Sequence, residues 1–187
     1  MRWDWLTAEM QRLDESQLRR RQHLSRSLPD GWCEHDGRRL RDLASNDYLN
    51  LAGDERLRLA AETALKEYGV GARASALICG RTPWQDRLEQ RLAEFERQPA
   101  ALIFPTGMAA NIGTIAALVD PADVVFCDRF NHASLVDGCR LSGAKLRVYR
   151  HDTLDKLEHE LVKASDAPRR WIVTDGVFSM DGDLAPL

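Results

Sequence analysis

The sequence predicts an α/β protein built on a parallel β-sheet. From about residue 100 onward, short apolar runs recur with centres 22 to 24 residues apart. The segments between them have helical periodicity, and the run at 124–126 is continuously apolar, as in strands that are covered on both faces. Alternating strands and helices at this spacing are typical of βαβ units, whose strands are parallel.

The first hundred residues predict three helices and two breaks. Residues 3–24 carry apolar side chains at helical spacing among many charges, which predicts an amphipathic helix. Pro29-Asp30-Gly31 is expected to end that segment, and Asp36-Gly37 predicts a turn with hairpin-like flanks. Two further helices are predicted over residues 55–68 and 84–97.

The remainder predicts four strands separated by three helices. The strands are expected at 101–104, 124–126, 146–149 and 171–173, and the helices at 108–119, 133–141 and 154–164. In parallel sheets, ligands bind beyond the carboxyl ends of the strands, where loops meet helix N-termini. The loops at 105–108, 128–132 and 175–182 are therefore the places where we expect chemistry.

Composition argues against several classes of function. The chain has 29 acidic and 26 basic residues, a net charge of −3 and 44% hydrophobic residues, which is typical of a folded domain. Near-neutral charge argues against a dedicated nucleic-acid or membrane-surface protein. No apolar run is long enough for a membrane span or resembles a signal peptide, so we expect a soluble, cytoplasmic protein.

The cysteines and histidines predict no metal site. Cys33, Cys79, Cys127 and Cys139 lie far apart in the sequence, and the five histidines show no metal-ligand spacing. Widely spaced cysteines are typical of free thiols in a reducing compartment.

The loop after the first predicted strand reads Pro105-Thr106-Gly107-Met108. A glycine between a strand and a helix leaves backbone N–H groups free to face an anion, and the helix dipole favours a phosphate there. The alternative is an ordinary tight turn in which Thr106 is the N-cap of the helix.

The other two loops carry polar side chains of several possible uses. His132 follows the second strand, where its ring could stack on a planar ligand or transfer protons. Alternatively, Asn131 caps the next helix and His132 is a half-buried polar residue. The loop at 174–183, which includes Ser179, has two glycines and three carboxylates that could orient a ligand, bind a cation or turn the chain.

Taken together, five segments resemble one family, the pyridoxal-phosphate-dependent α-oxoamine synthases. They occur in the family's order and are Ser45-Asn46-Asp47-Tyr48-Leu49, Gly69-Val70-Gly71, Thr106-Gly107-Met108-Ala109-Ala110-Asn111, Asn131-His132-Ala133-Ser134 and Thr174-Asp175-Gly176-Val177-Phe178-Ser179-Met180-Asp181-Gly182. The resemblance implies the N-terminal half of the large domain of a fold-type-I transferase, with pyridoxal 5'-phosphate as cofactor.

Within the family, the chain is most similar to the member that condenses L-alanine with a pimeloyl thioester, on either coenzyme A or a carrier protein. The runner-up is the member that joins glycine to an acetyl group. The resemblance implies a homodimer and divides the chain into an N-terminal arm, residues 1–45, and the first part of the cofactor-binding domain, residues 46–187.

Roles for individual residues follow from the same resemblance. Gly107 and Met108 would bind the cofactor through their loop, His132 would stack on its pyridine ring and take part in catalysis, and Ser179 would hydrogen-bond the ring hydroxyl. Asn46 would face the amino-acid carboxylate.

Arg19 would reach the acyl substrate, and His132 would also contact the amino acid. The resemblance places the Schiff-base lysine beyond Leu187, since the four lysines of this chain look like solvated surface residues, and it implies that this chain alone is inactive. Two other hypotheses remain: a non-catalytic interaction module, or a doubly wound domain that binds another phosphorylated ligand at Gly107.

Overall fold

A computed structural model describes residues 3–186, which form two compact units divided between Arg73 and Ala74. The first unit contains two helices and three strands: α1 (Asp4–Glu15), β1 (Ser25–Leu28), β2 (Trp32–His35), β3 (Arg38–Arg41) and α2 (Glu55–Tyr68). Its strands form an antiparallel sheet in the order β1-β2-β3.

The predicted turn at Asp36-Gly37 is confirmed. These two residues join β2 to β3, and both have positive φ, 47° and 77°. A two-residue hairpin loop with two positive φ angles matches the right-handed twist of its strands, which explains why the Asp-Gly pair occurs here.

The predicted helix over 3–24 is too long, whereas the helix over 55–68 is confirmed as α2. Helix α1 ends at Glu15 because Gln17 adopts a left-handed conformation with φ 55°. The Leu18 N–H then bonds to the Leu13 carbonyl at 2.9 Å, which closes the helix end. Polar and apolar residues after this point continue a helical pattern in sequence, but they do not follow it in structure.

The second unit contains the parallel sheet. A single π-helical turn (Ala76–Gly80) precedes α3 (Pro83–Glu96), α4 (Gly107–Leu118), β4 (Val124–Asp128), α5 (Ala133–Leu141), β5 (Lys145–Tyr149), α6 (Leu154–Lys163) and β6 (Arg170–Val173). β4 pairs in parallel with β5 on one side and with β6 on the other. The predicted α/β class with a parallel sheet is therefore confirmed.

The predicted strand at 101–104 is wrong. Among residues 3–186 this segment pairs with no strand, and Leu102 remains 68% exposed. The Ile103 N–H donates instead to the Glu89 carboxylate at 3.1 Å. An apolar run predicts burial, but a strand also needs a neighbour for its backbone groups.

Strand β4 is buried along its whole length and forms the centre of the core. Val125 and Cys127 face one layer of apolar side chains, which includes residues of α4 and α5. Val124 and Phe126 face the other layer, together with Leu157 of α6. This two-sided cover explains why the sequence run is continuously apolar rather than alternating.

The described residues include no helix that is long and apolar enough to cross a lipid bilayer.

Candidate functional site

Asn131 joins the loops that follow β4 and β6. Its side-chain N–H donates to the Val173 carbonyl at 2.7 Å, and its side-chain oxygen accepts the Asp175 N–H at 2.8 Å. The residue is only 8% exposed. The idea that Asn131 caps the following helix is therefore wrong, because its amide is used to hold two strand ends together.

His132, not Asn131, is the N-cap of α5. Its ring nitrogen Nδ1 accepts the Ser134 N–H at 3.2 Å, and its own backbone N–H donates to the Asp175 carboxylate at 2.7 Å. The residue is exposed rather than half-buried. The His132 ring thus lies at the solvent side of the strand ends. Its orientation is fixed by the start of α5, and its backbone is fixed by the loop after β6.

The helix start at Gly107 is confirmed, and it faces open space. Thr106 caps α4 through its hydroxyl oxygen, which accepts the Ala109 N–H at 3.0 Å, and the Thr106 carbonyl accepts the Ala110 N–H. Within residues 3–186, the backbone N–H groups of Gly107 and Met108 have no hydrogen-bond acceptor. A Cβ placed on Gly107 would meet no atom within 4 Å. A capped helix and a helix start that is open to an anion are therefore compatible features of one turn.

The first turns of α4 and α5 lie side by side. The Asn111 side-chain N–H donates to the Ser134 hydroxyl oxygen at 2.9 Å. Further along, Gly138 lets the two helices approach closely, because a Cβ there would lie 3.0 Å from Ile115 Cδ1 and 3.2 Å from the Asn111 carbonyl oxygen. The Asn111–Ser134 bond connects the helix that begins at Gly107 to the helix that His132 caps.

Ser179 lies in a turn that is fixed by its neighbour. Val177 and Leu184 form an isolated antiparallel bridge, and Phe178 is buried. The Phe178 ring stacks on the His151 ring with centroids 4.1 Å apart. Ser179 itself is exposed, and the described residues show no hydrogen bond between it and His132.

A buried carboxylate holds the His151 ring in place. Asp128, at the end of β4, has a fully buried side chain that accepts the Phe130 N–H at 2.8 Å and lies 3.1 Å from His151 Nδ1. Sequence analysis missed both residues. The available signal was their position at the carboxyl ends of neighbouring strands, since Asp128 is the last residue of β4 and His151 lies two residues after the end of β5.

Asn46 and Arg19 belong to the first unit, so their expected roles stay predictions. Asn46 is exposed in a turn in which the Asp47 N–H donates to the Ser45 hydroxyl at 2.9 Å. The Arg19 guanidinium pairs with the Asp14 carboxylate at 2.5 Å.

The first unit also brings together three residues that can ligate a metal. His23 Nδ1 lies 2.8 Å from the Asp36 carboxylate, and His35 Nε2 lies 3.7 Å from it. The hydrogen bond with His23 holds the pKa of Asp36 below its usual value. The sequence spacing did not indicate this cluster, because the β1–β2 pairing is what places His23 beside His35. Its groups already pair with one another, and the expectation of no metal site stays a prediction.

Comparison with known proteins identifies the family. The model of the family described as aminotransferase class I and II matches residues 38–187. The 8-amino-7-oxononanoate synthase 2 of Bacillus subtilis is 43% identical over 183 residues, which cover 98% of this chain and 47% of that protein. The chain thus spans about half the length of the curated relatives that it matches.

Solved structures agree with this result. A serine palmitoyltransferase from S. paucimobilis, solved with PLP and myriocin bound, has a TM-score of 0.87 at 29% identity and covers 99% of this chain and 47% of its own. An 8-amino-7-oxononanoate synthase from Francisella tularensis has a TM-score of 0.63 at 33% identity, over 76% of this chain and 38% of its own.

These neighbours confirm the resemblance to the pyridoxal-phosphate-dependent α-oxoamine synthases and the expected fold type and cofactor class. With four-fifths of its length matched by the family model, the chain belongs to the aminotransferase class I and II family.

Proposed function

We propose that the full-length protein is an 8-amino-7-oxononanoate synthase, which condenses L-alanine with a pimeloyl thioester and releases carbon dioxide and the thiol carrier. The observation that carries the proposal is the pair of joined helix starts: the N–H groups of Gly107 and Met108, which have no acceptor within residues 3–186, lie beside the turn that presents His132. The identity of 43% to the Bacillus subtilis protein, against 29% to the serine palmitoyltransferase, supports this choice of substrate.

The described residues fit pyridoxal 5'-phosphate. Two free N–H groups at a helix N-terminus suit its phosphate, because both the donors and the helix dipole favour an anion. An exposed imidazole suits a flat ring, and the exposed Ser179 hydroxyl suits a ring oxygen. When bound, the cofactor supplies an electron sink for the carbon that loses its carboxylate.

The chain's own residues would then bind and orient the cofactor and the two substrates. The Gly107 and Met108 amides would hold the phosphate, and the His132 ring would cover one face of the cofactor and reach the amino acid. Ser179 would fix the tilt of the ring. Asn46 would bind the amino-acid carboxylate, and Arg19 would bind the acyl substrate.

The proposal assigns the covalent attachment of the cofactor to a lysine beyond Leu187. Lys66, Lys145, Lys156 and Lys163 are all exposed and lie on helices or at a strand start. None of them lies in a loop that follows the carboxyl end of β4, β5 or β6. We therefore expect this chain alone to be inactive, and the full-length protein to act as a homodimer.

Turnover of the full-length protein tests the proposal. It should convert L-alanine with pimeloyl thioester faster than glycine with acetyl-CoA or L-serine with palmitoyl-CoA. Faster turnover of either competing pair refutes the assignment. For the 187-residue chain, borohydride reduction in the presence of pyridoxal phosphate should leave no stoichiometric adduct on a single lysine, and such an adduct together with activity would contradict the assigned position of the catalytic lysine.

A further inference from the structure

The His132 ring receives two hydrogen bonds on one nitrogen. Nδ1 lies 3.2 Å from the Ser134 backbone nitrogen, which can only donate, and 2.7 Å from the Ser134 hydroxyl oxygen. A nitrogen that accepts from a backbone N–H carries no proton in the neutral ring. The proton of neutral His132 is therefore on Nε2.

Asn111 determines which way the Ser134 hydroxyl points. The Asn111 side-chain NH₂ donates to the Ser134 oxygen at 2.9 Å, so that oxygen acts as the acceptor in this contact. The single hydroxyl hydrogen is then available for Nδ1. Ser134 is 2% exposed, so water does not compete for this hydrogen.

We propose that Ser134 and Asn111 are positioning residues that hold His132 as the neutral Nε2–H tautomer, so that this N–H is presented to a substrate oxygen. Nε2 has no hydrogen-bond partner in the part of the chain that the structure describes, and the residue is exposed. If the proposed function holds, the oxygen is the carboxylate of the amino-acid substrate. The chemistry needs a donor there, because a carboxylate only accepts.

Ser134 and Asn111 act by fixing the orientation of the His132 ring rather than by adding a charge near it. Asp175 holds the His132 backbone N–H, and Ser134 holds the ring, so both rotation and tautomer are fixed before a ligand arrives. Fixing a donor in advance removes the cost of ordering it on binding. Neither Ser134 nor Asn111 needs to touch the ligand.

The test is the tautomer of His132 in the 187-residue chain, measured without cofactor. Two-bond ¹H–¹⁵N spectra of histidine-labelled protein distinguish the two ring nitrogens, and the signals that disappear in His132→Gln assign the residue. The wild-type ring should be the Nε2–H tautomer. In Ser134→Ala, the ratio of Nε2–H to Nδ1–H should fall about fivefold, which corresponds to one lost hydrogen bond of about 1 kcal/mol.

Asn111→Asp provides the sharper variant, because it has the same shape but accepts instead of donating. The Ser134 hydroxyl should then turn to the new carboxylate and leave Nδ1, so the tautomer ratio should fall as it does in Ser134→Ala. Ser142→Ala is the matched control, since Ser142 is a buried serine at the other end of α5 that donates to the Cys139 carbonyl at 2.7 Å. It removes a hydrogen bond from the same helix and should leave the His132 ratio unchanged.

An Nδ1–H tautomer in the wild-type chain overturns the proposal, as does an unchanged ratio in both Ser134→Ala and Asn111→Asp. The wild-type measurement stands even where a variant fails to fold. In the full-length enzyme, the same two variants should raise KM for the amino acid more than they lower kcat. The expected tautomer in a protein without synthase activity would refute the proposed function and leave this assignment intact.

Discussion

Replacement of Asp128 by alanine should destabilise the second unit strongly. The carboxylate is fully buried and serves two groups, the Phe130 N–H at 2.8 Å and His151 Nδ1 at 3.1 Å. Leaving a buried polar group without a partner costs about 1–3 kcal/mol, so the loss of both contacts should cost about 2–6 kcal/mol. At a urea dependence of about 2 kcal/mol per molar, the midpoint should fall by about 1–3 M.

The amide signals of β4 in ¹⁵N NMR spectra are a suitable measure, because they report on this unit alone while urea is raised. Asp128→Asn should lose clearly less than Asp128→Ala, since an amide retains an acceptor for the Phe130 N–H. Asp152→Ala is the control, because Asp152 pairs with Arg150 in an exposed position where solvent screens the interaction. Equal midpoints for Asp128→Ala and Asp152→Ala would refute the reasoning.

Three further predictions concern the packing, the thiols and the acid response. Gly80→Ala should displace the turn before α3, because its Cβ would lie 1.8 Å from the Ala74 carbonyl oxygen; unchanged α3 amide signals would contradict this. Cys79 alone among the four cysteines is exposed, so one thiol should react rapidly with Ellman's reagent in the native protein, and all four should react in urea. A second rapidly reacting thiol in the native protein would argue against the described burial. Burial raises the pKa of Asp123, but hydrogen bonds, including one from Trp171, outweigh it and hold this pKa below its usual value. The resulting stability is complete above the unfolded pKa of about 3.9 and is lost as the pH falls through the lower folded value. Asp123→Asn should therefore weaken the pH dependence of the free energy of unfolding below about pH 4. An acid transition that is the same in this variant as in the wild type would contradict the prediction.

The sequence was sufficient to predict those elements whose hydrophobic pattern and boundary signals agree. Helix α2 has apolar residues at helical spacing between a capping Asp54 and Gly69, and its predicted bounds are confirmed. The predictions failed where a boundary depends on one backbone angle or on a missing neighbour. The left-handed Gln17 ends α1 early, and the apolar segment at 101–104 has no strand partner among the described residues. Hairpin-like flanks were expected around Asp36-Gly37, but the bounds of strand β3 were not predicted because its sequence, Arg38–Arg41, is mostly charged.

The location of the candidate site could be predicted, but not its internal connections. Strand ends in a parallel sheet meet at one edge, and this rule indicates the loops that follow β4 and β6. It does not account for Gly107, because the segment before this helix start is not a strand among the described residues. The connections depend on which side-chain rotamers meet across helices and strands. Asn111 reaches Ser134 only because Gly138 lets α4 and α5 approach, and spacing in the sequence does not show that contact.

The order of the parallel sheet also has a consequence for how the protein folds. β4 is central, and its Val124 pairs with Lys145 of β5 and with Arg170 of β6. The sequence separation of the first pair is about half that of the second. Because doubling a loop costs about 0.6 kcal/mol of closure entropy, we expect β5 to join β4 before β6 does. The bonds from Asn131 and His132 to the chain after β6 are then expected to form last, so β4 and β5 should pair before the strand-end loops become ordered.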